Sequence, residues 1–129
     1  VTWGAAPTSQ CREVSTAVDL TVAEAAEGVV IVDVGGSVDV YTVADLRSGL
    51  DGQINLGRNR LVVDLLDVDF LDSTGLGVLV ARLKAVRSTG GWLRLVCTDE
   101  KVLRVFRITG LDKVFHIHPS VPAALGADA

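Results

Sequence analysis

Val18 to Ala25 alternates apolar with polar residues and predicts a half-buried strand. Glu27-Gly28 reads as a turn. Val29 to Val34 is largely β-branched and suits a central strand, which Gly35-Gly36 is expected to end. The short glycine-containing connection makes the two runs a hairpin. Thr42 stands where a helix N-cap belongs. Val43, Leu46, Leu50 and Ile54 then fall on one helical face. Gly49 and Gly52 each weaken that helix by about 1 kcal/mol relative to alanine, and Gly57 reads as its terminating cap. Leu61 to Leu65 shows no alternation, as expected of a strand covered on both faces.

Asp67, Asp69 and Asp72 crowd the next stretch, which reads as a loop. Beyond it Leu76, Leu79, Val80, Leu83 and Val86 form a strong helical stripe, and Gly90-Gly91 stops it. Trp92 to Val96 predicts a fourth strand. Glu100 opens a third helix with Leu103 and Phe106 inward, and Gly110 has the signature of the residue just past a helix end. Val114 to Ile117 predicts a last strand and Val121 to Leu125 a last short helix. The order β-β-α-β-α-β-α-β-α predicts an α/β domain: a small, mixed, mostly parallel sheet of about five strands carrying about four helices. Residues 1–16 lack an apolar period and read as a flexible N-terminal arm, leaving residues 17–129 for the domain.

The length of 129 residues suits one domain with one core. Apolar residues at 49% and charged residues at 22% are ordinary globular proportions. The net charge is −4, opposite to the balance of a nucleic-acid binder. Arg82, Lys84, Arg87, Arg104 and Arg107 read as the solvated faces of two helices. No apolar run approaches the roughly 20 residues needed to cross a bilayer, and no stretch has the order of a secretory signal. The chain begins at Val1 and contains no methionine, so it reads as trimmed or stripped of its start residue. Two cysteines, Cys11 and Cys97, are too few for a disulfide framework. The expected compartment is the cytoplasm, with two free thiols.

The chemistry concentrates around Asp72-Ser73-Thr74-Gly75-Leu76-Gly77. A hydroxyl residue before a periodic helix is ordinarily a cap. Here three aspartates already crowd the segment, and Gly75 and Gly77 strip side chains from the first turn. Ser73 and Thr74 therefore stand on a bare helix end open to a partner. A phosphate attached there meets free amide groups and the positive end of the helix.

This segment resembles the Asp-Ser-Ser/Thr-Gly-Leu-Gly motif of the bacterial anti-sigma factor antagonists (anti-anti-sigma factors), the STAS domain proteins. Gly36-Ser37-Val38-Asp39 followed by Thr42-Val43-Ala44-Asp45-Leu46 is similar to that family's Gly-Glu-Leu/Ile-Asp and its helix start. Leu61 to Leu65, Val68 to Asp72, Gly90-Gly91 and Ile108 to Phe115 match further landmarks, so the resemblance spans roughly residues 17–126. It departs at Ser37, where the family often has glutamate. The resemblance implies a protein that binds an anti-sigma factor doubling as a serine kinase of the histidine-kinase-like ATPase fold. Binding frees the sigma factor, phosphorylation of one serine releases the partner, and a serine phosphatase resets the switch. By position that serine is Ser73, with Thr74 the alternative. Gly36, Asp39, Thr42, Asp72, Ser73, Thr74, Gly75, Leu76 and Gly77 would form the partner-binding surface. No cofactor, metal or catalytic residue is implied, nor contact with nucleic acid or membrane. A STAS scaffold or sensor independent of phosphorylation is the alternative.

A receiver-like domain with Asp67 as phosphoacceptor is a further alternative. Asp33 is followed by Val34 where receivers carry a second acid for Mg²⁺, and no lysine precedes Pro119. His116 and His118 alternate on a strand, yet zinc wants three or four ligands. No nucleophile elbow or phosphate-binding loop is present.

Overall fold

The computed structural model describes residues 19–26 and 28–126. The arm expected over residues 1–16, and Cys11 with it, lies outside the described residues. Strands β1 (Asp19–Ala26) and β2 (Val29–Val38) pair antiparallel. Helix α1 (Val43–Asn55), strand β3 (Arg60–Leu71), helix α2 (Ser73–Arg87), strand β4 (Trp92–Val96) and helix α3 (Glu100–Thr109) follow. A 3₁₀ turn (Leu111–Lys113), strand β5 (His116–His118) and helix α4 (Val121–Gly126) complete the chain. The five strands lie in sequence order, and β2 through β5 are mutually parallel. The sheet is the mixed, mostly parallel one read from the sequence.

Sequential order has a consequence for the helices. Parallel crossovers are right-handed, and each here steps the same way across the sheet, so α1, α2 and α3 share one face. Their Leu46, Leu50, Leu79, Leu83, Val86, Val102 and Phe106 join Val30, Val32, Val34, Val63, Leu65, Leu93 and Leu95 in one core. Helix α4, beyond the last strand, covers the opposite face. Its Ala124 packs with Val62 and Val96 in a second, smaller cluster. Buried Arg94 ties α4 to the sheet: its guanidinium donates to the Ala124 carbonyl at 2.8 Å and lies 3.8 Å from the Trp92 ring centre. Leu61 to Leu65 are all buried, as a strand covered on both faces requires.

The expected helix stops hold. The Arg58 N–H bonds the Gln53 carbonyl and the Gly57 N–H the Ile54 carbonyl, with Gly57 at φ 87°. The same paired bonds from Gly91 and Gly90 close α2. Gly91 has a second reason to be glycine, since a Cβ there would lie 1.9 Å from the Asn59 carbonyl oxygen.

Two expectations fail together. Gly35-Gly36 does not end β2, and Asp67 to Leu71 is not a loop. β2 continues to Val38, and β3 pairs with it through Gly35–Asp67, Gly36–Val68, Ser37–Phe70 and Val38–Leu71, with irregular register on either side of Gly35-Gly36. Gly36 takes φ 96°, which L side chains rarely adopt, and so the strand bulges instead of stopping. The receiver alternative falls on topology: receivers wind a sheet in the order 2-1-3-4-5, whereas this sheet runs 1-2-3-4-5 from an antiparallel hairpin.

Candidate functional site

The bulged ends of β2 and β3 bring the two segments singled out above to one corner of the sheet. The Asp72 N–H donates to the Val38 carbonyl at 3.2 Å, and the Ser37 hydroxyl donates to Asp69 Oδ1 at 2.8 Å. Ser37 thus closes the corner with a contact between the two strands.

Asp72 is the N-cap of α2. One of its oxygens, Oδ1, accepts from the Thr74 N–H at 3.0 Å and the Gly75 N–H at 3.3 Å, and also takes the Thr74 hydroxyl. Ser73 is therefore the first helical residue and not the cap. It is exposed, and its hydroxyl makes no hydrogen bond to any described residue. The two adjacent hydroxyls are unequal: Thr74's is held by a carboxylate, and Ser73's is free at the positive end of a 15-residue helix.

Gly75 is buried, contrary to the bare surface read for it. A Cβ there would lie 2.6 Å from Leu71 Cδ1 and 2.7 Å from Val38 Cγ1. Glycine lets the first turn of α2 seat directly on the strand ends, which sets where Ser73 stands. Gly77 is exposed with nothing near its missing side chain, as the bare-turn reading requires. Leu76 is buried in the core.

Across the corner, Asp39 and Thr42 organise the turn from β2 into α1. Asp39 Oδ1 accepts from the Tyr41 N–H at 2.9 Å and the Thr42 N–H at 3.1 Å. The Thr42 hydroxyl accepts from the Asp39 N–H at 3.0 Å and donates to the Ser37 carbonyl at 2.7 Å. Thr42 occupies the N-cap position without capping α1 through its side chain. The hydroxyl is spent on the strand end behind it. Thr42, Gly75 and Leu76 thus lie beneath the surface and shape it, while Asp39, Asp72, Ser73, Thr74 and Gly77 reach it.

Sequence reasoning missed the apolar part of this corner. Val40, Tyr41 and Phe70 are exposed by 60%, 89% and 49%. Phe70 falls in the stretch that reads as a loop, and Tyr41 is assigned no role. Their shared location depends on pairing that periodicity does not reveal.

Beside the corner, Asp19, Thr21, Asp33, Gly35, Gly36 and Asp67 line a shallow acidic cleft. Burial raises the Asp33 carboxyl above its ordinary pKa, and the carboxylates of Asp64 and Asp67 add to the shift. No group of His, Cys, Asp or Glu among the described residues is arranged to hold a metal ion. His116 and His118 lie at the far end of the sheet. Cys97 is buried, and burial pushes its thiol pKa up. No helix among the described residues is long and apolar enough to cross a membrane.

The family model described as STAS domain matches residues 21–124. The anti-sigma-B factor antagonist of Staphylococcus aureus (strain NCTC 8325 / PS 47) is 38% identical over 87 residues, 67% of this chain and 81% of that protein. An anti-sigma factor antagonist from Mycobacterium paratuberculosis superposes with a TM-score of 0.76 at 31% identity, covering 84% of this chain and 91% of that one. The Bacillus cell fate determinant SpoIIAA, solved in its phosphorylated form, shares the fold with a TM-score of 0.66 at 18% identity, over 83% of this chain and 96% of that one. A five-stranded sheet opened by an antiparallel hairpin, an Asp-capped helix at the end of its third strand and a match across most of its length make this chain a member of the STAS domain family.

Proposed function

We propose that this protein is an anti-sigma factor antagonist: a cytoplasmic, non-catalytic switch that binds an anti-sigma factor serine kinase, frees its sigma factor and is turned off by phosphorylation of Ser73. The observation that carries the reading is the free, exposed Ser73 hydroxyl at the start of α2, beside a threonine whose hydroxyl Asp72 already holds. The relatives named anti-sigma-B factor antagonist support the general role. In this reading Asp39, Asp72, Ser73, Thr74 and Gly77 meet the partner, over a surface shaped by Gly36, Thr42, Gly75 and Leu76.

The partner brings ATP. Ser73 Oγ gives up its proton to a base of the partner and bonds the γ-phosphorus, while the bond from that phosphorus to the β–γ bridging oxygen breaks and ADP leaves. The chain contributes presentation: a hydroxyl on a rigid helix end with no competing internal bond. The product carries about −1.5 to −2 charges. At a helix N-terminus such charge is favourable by about 0.3–1 kcal/mol, so the fold tolerates it. At the centre of an interface the same charge, set beside Asp72 and desolvated without a partner, costs several kcal/mol. Each 1.4 kcal/mol is about tenfold in affinity, enough to release a partner. A serine phosphatase would restore the free hydroxyl.

The test is peptide mass spectrometry after incubation with each purified anti-sigma factor kinase of the source organism and Mg-ATP. One phosphoryl group on Ser73, absent from Ser73→Ala and retained by Thr74→Ala, is expected. Binding without phosphorylation would instead favour a STAS module that works without the covalent switch.

A further inference from the structure

We infer that Val40, Tyr41 and Phe70 form the apolar anchor by which this protein docks on its partner, and that the partner face carries an apolar pocket bordered by basic side chains. The inference rests on the proposed anti-sigma factor kinase being that partner, and it assigns residues outside the Asp-Ser-Thr-Gly motif to affinity.

The observation is where the aromatic side chains went. Of the aromatic residues whose positions are described, Phe106 and Phe115 are buried and pack edge to face, and Trp92 is half-buried against Arg94. Only Tyr41 and Phe70 stand out in solvent, and both stand at the corner that presents Ser73. Val38 pairs with Leu71 at the strand ends, so Phe70 lies one residue before that pair, Tyr41 three residues beyond it and Ser73 two. Val40 adds a third exposed apolar side chain between Asp39 and Tyr41. Leaving an aromatic ring in water forgoes the burial that drives folding. Exposed apolar residues scattered singly are ordinary, whereas three on the two segments that meet at the paired strand ends Val38 and Leu71 mark a contact surface. Buried aromatic anchors carry most of the energy of protein interfaces.

The surrounding charge selects the partner. From Leu66 to Ala81 the chain holds three carboxylates and no base, and Asp39 and Asp45 flank Tyr41 on the other segment. Asp45 and Asp69 are exposed. An apolar centre with an acidic rim fits an apolar pocket with a basic rim, which also steers the encounter.

Tyr41→Ala, Phe70→Ala and the double variant, with Leu56→Ala and Ile108→Ala as controls, would be titrated with each purified anti-sigma factor kinase of the source organism. Leu56 and Ile108 are exposed by 69% and 76%, one just past the end of α1 and the other near the end of α3. Melting temperatures should stay near wild type for Tyr41→Ala and both controls, whose side chains are mostly exposed, and fall modestly for Phe70→Ala, which is 49% exposed. The expected result is about tenfold or greater loss of affinity for each corner truncation and little change for either control. Phosphorylation of Ser73 in the truncated proteins by the kinase should slow at limiting concentration and recover at saturation, a rise in KM with kcat retained. Wild-type affinity in Tyr41→Ala and Phe70→Ala, with a kinase that binds and phosphorylates the wild type, overturns the anchor alone. Equal losses in the two controls overturn it as well. If no kinase binds the wild type, the function proposed above falls and takes the anchor with it.

Discussion

Asp72 and Thr74 are joined twice through one oxygen: Asp72 Oδ1 takes both the backbone N–H and the hydroxyl of Thr74. The pairing caps α2, and it removes one of two neighbouring hydroxyls from competition. Asp72→Ala should lower unfolding stability by about 1 kcal/mol, the usual cost of losing an N-cap, while Asp72→Asn keeps most of it. Urea unfolding measures both. Equal losses in the two variants would show that charge, not capping geometry, is what matters.

Charge at Ser73 should act on binding and leave the fold alone. Ser73→Asp is expected to melt within a degree or two of wild type, because an anion at N1 is tolerated, yet to bind the anti-sigma factor at least tenfold more weakly than Ser73→Ala. Calorimetric titration of both variants against one kinase decides. Equal affinities would remove the electrostatic account of release.

The two glycines of the first turn of α2 should respond with opposite signs. Gly75→Ala places a methyl 2.6 Å from Leu71 and 2.7 Å from Val38, and overpacking of this kind costs about 1–3 kcal/mol. Gly77→Ala meets nothing within 4 Å and should gain up to about 1 kcal/mol from helix propensity. Denaturant midpoints at constant m-value read both effects.

Asp39 serves the fold first. Its carboxylate accepts two backbone N–H groups of the turn into α1, so Asp39→Ala should cost about 1 kcal/mol in denaturant unfolding. The sequence resemblance assigns this residue to the partner-binding surface, a role that needs no contribution to stability. A melting curve identical to wild type would restore that view.

Two groups should make stability depend on pH in the same direction of charge, each resisting ionisation. Burial, then the carboxylates of Asp64 and Asp67, raise Asp33 above its ordinary 3.8. Its contribution is therefore fully present below that value and lost as pH rises through the folded-state pKa. Asp33→Asn should melt higher than wild type at neutral pH, with the gain shrinking in acid. Burial, then Arg94 and His116, lower His118 below its ordinary 6.5. Its buried Nε2 has no hydrogen-bond partner among the described residues. Here stability is present above 6.5 and lost as pH falls toward the folded-state pKa, because the unfolded chain takes up the proton first. Melting temperatures of wild type and His118→Gln from neutral pH down to about pH 5 should converge, with wild type losing more.

The order of elements, the faces of α1 and α2, the buried run Leu61 to Leu65 and the glycine stops at Gly57 and Gly90-Gly91 were legible in the chain itself. All are local: periodicity names a face, and a left-handed residue ends a helix wherever it occurs. The motif Asp72 to Gly77 was legible for the same reason. Tertiary pairing decided the rest. Gly35-Gly36 reads as a stop until β3 supplies a partner for a bulged strand, and Asp67 to Leu71 reads as a loop until β2 does. That Gly75 must make room for Val38, and that Tyr41 and Phe70 share a corner with Ser73, depend on contacts between the ends of two strands. Such contacts join residues more than thirty positions apart. A local pattern can say which residues want partners, but only the folded sheet says which partners they meet and which are left in solvent.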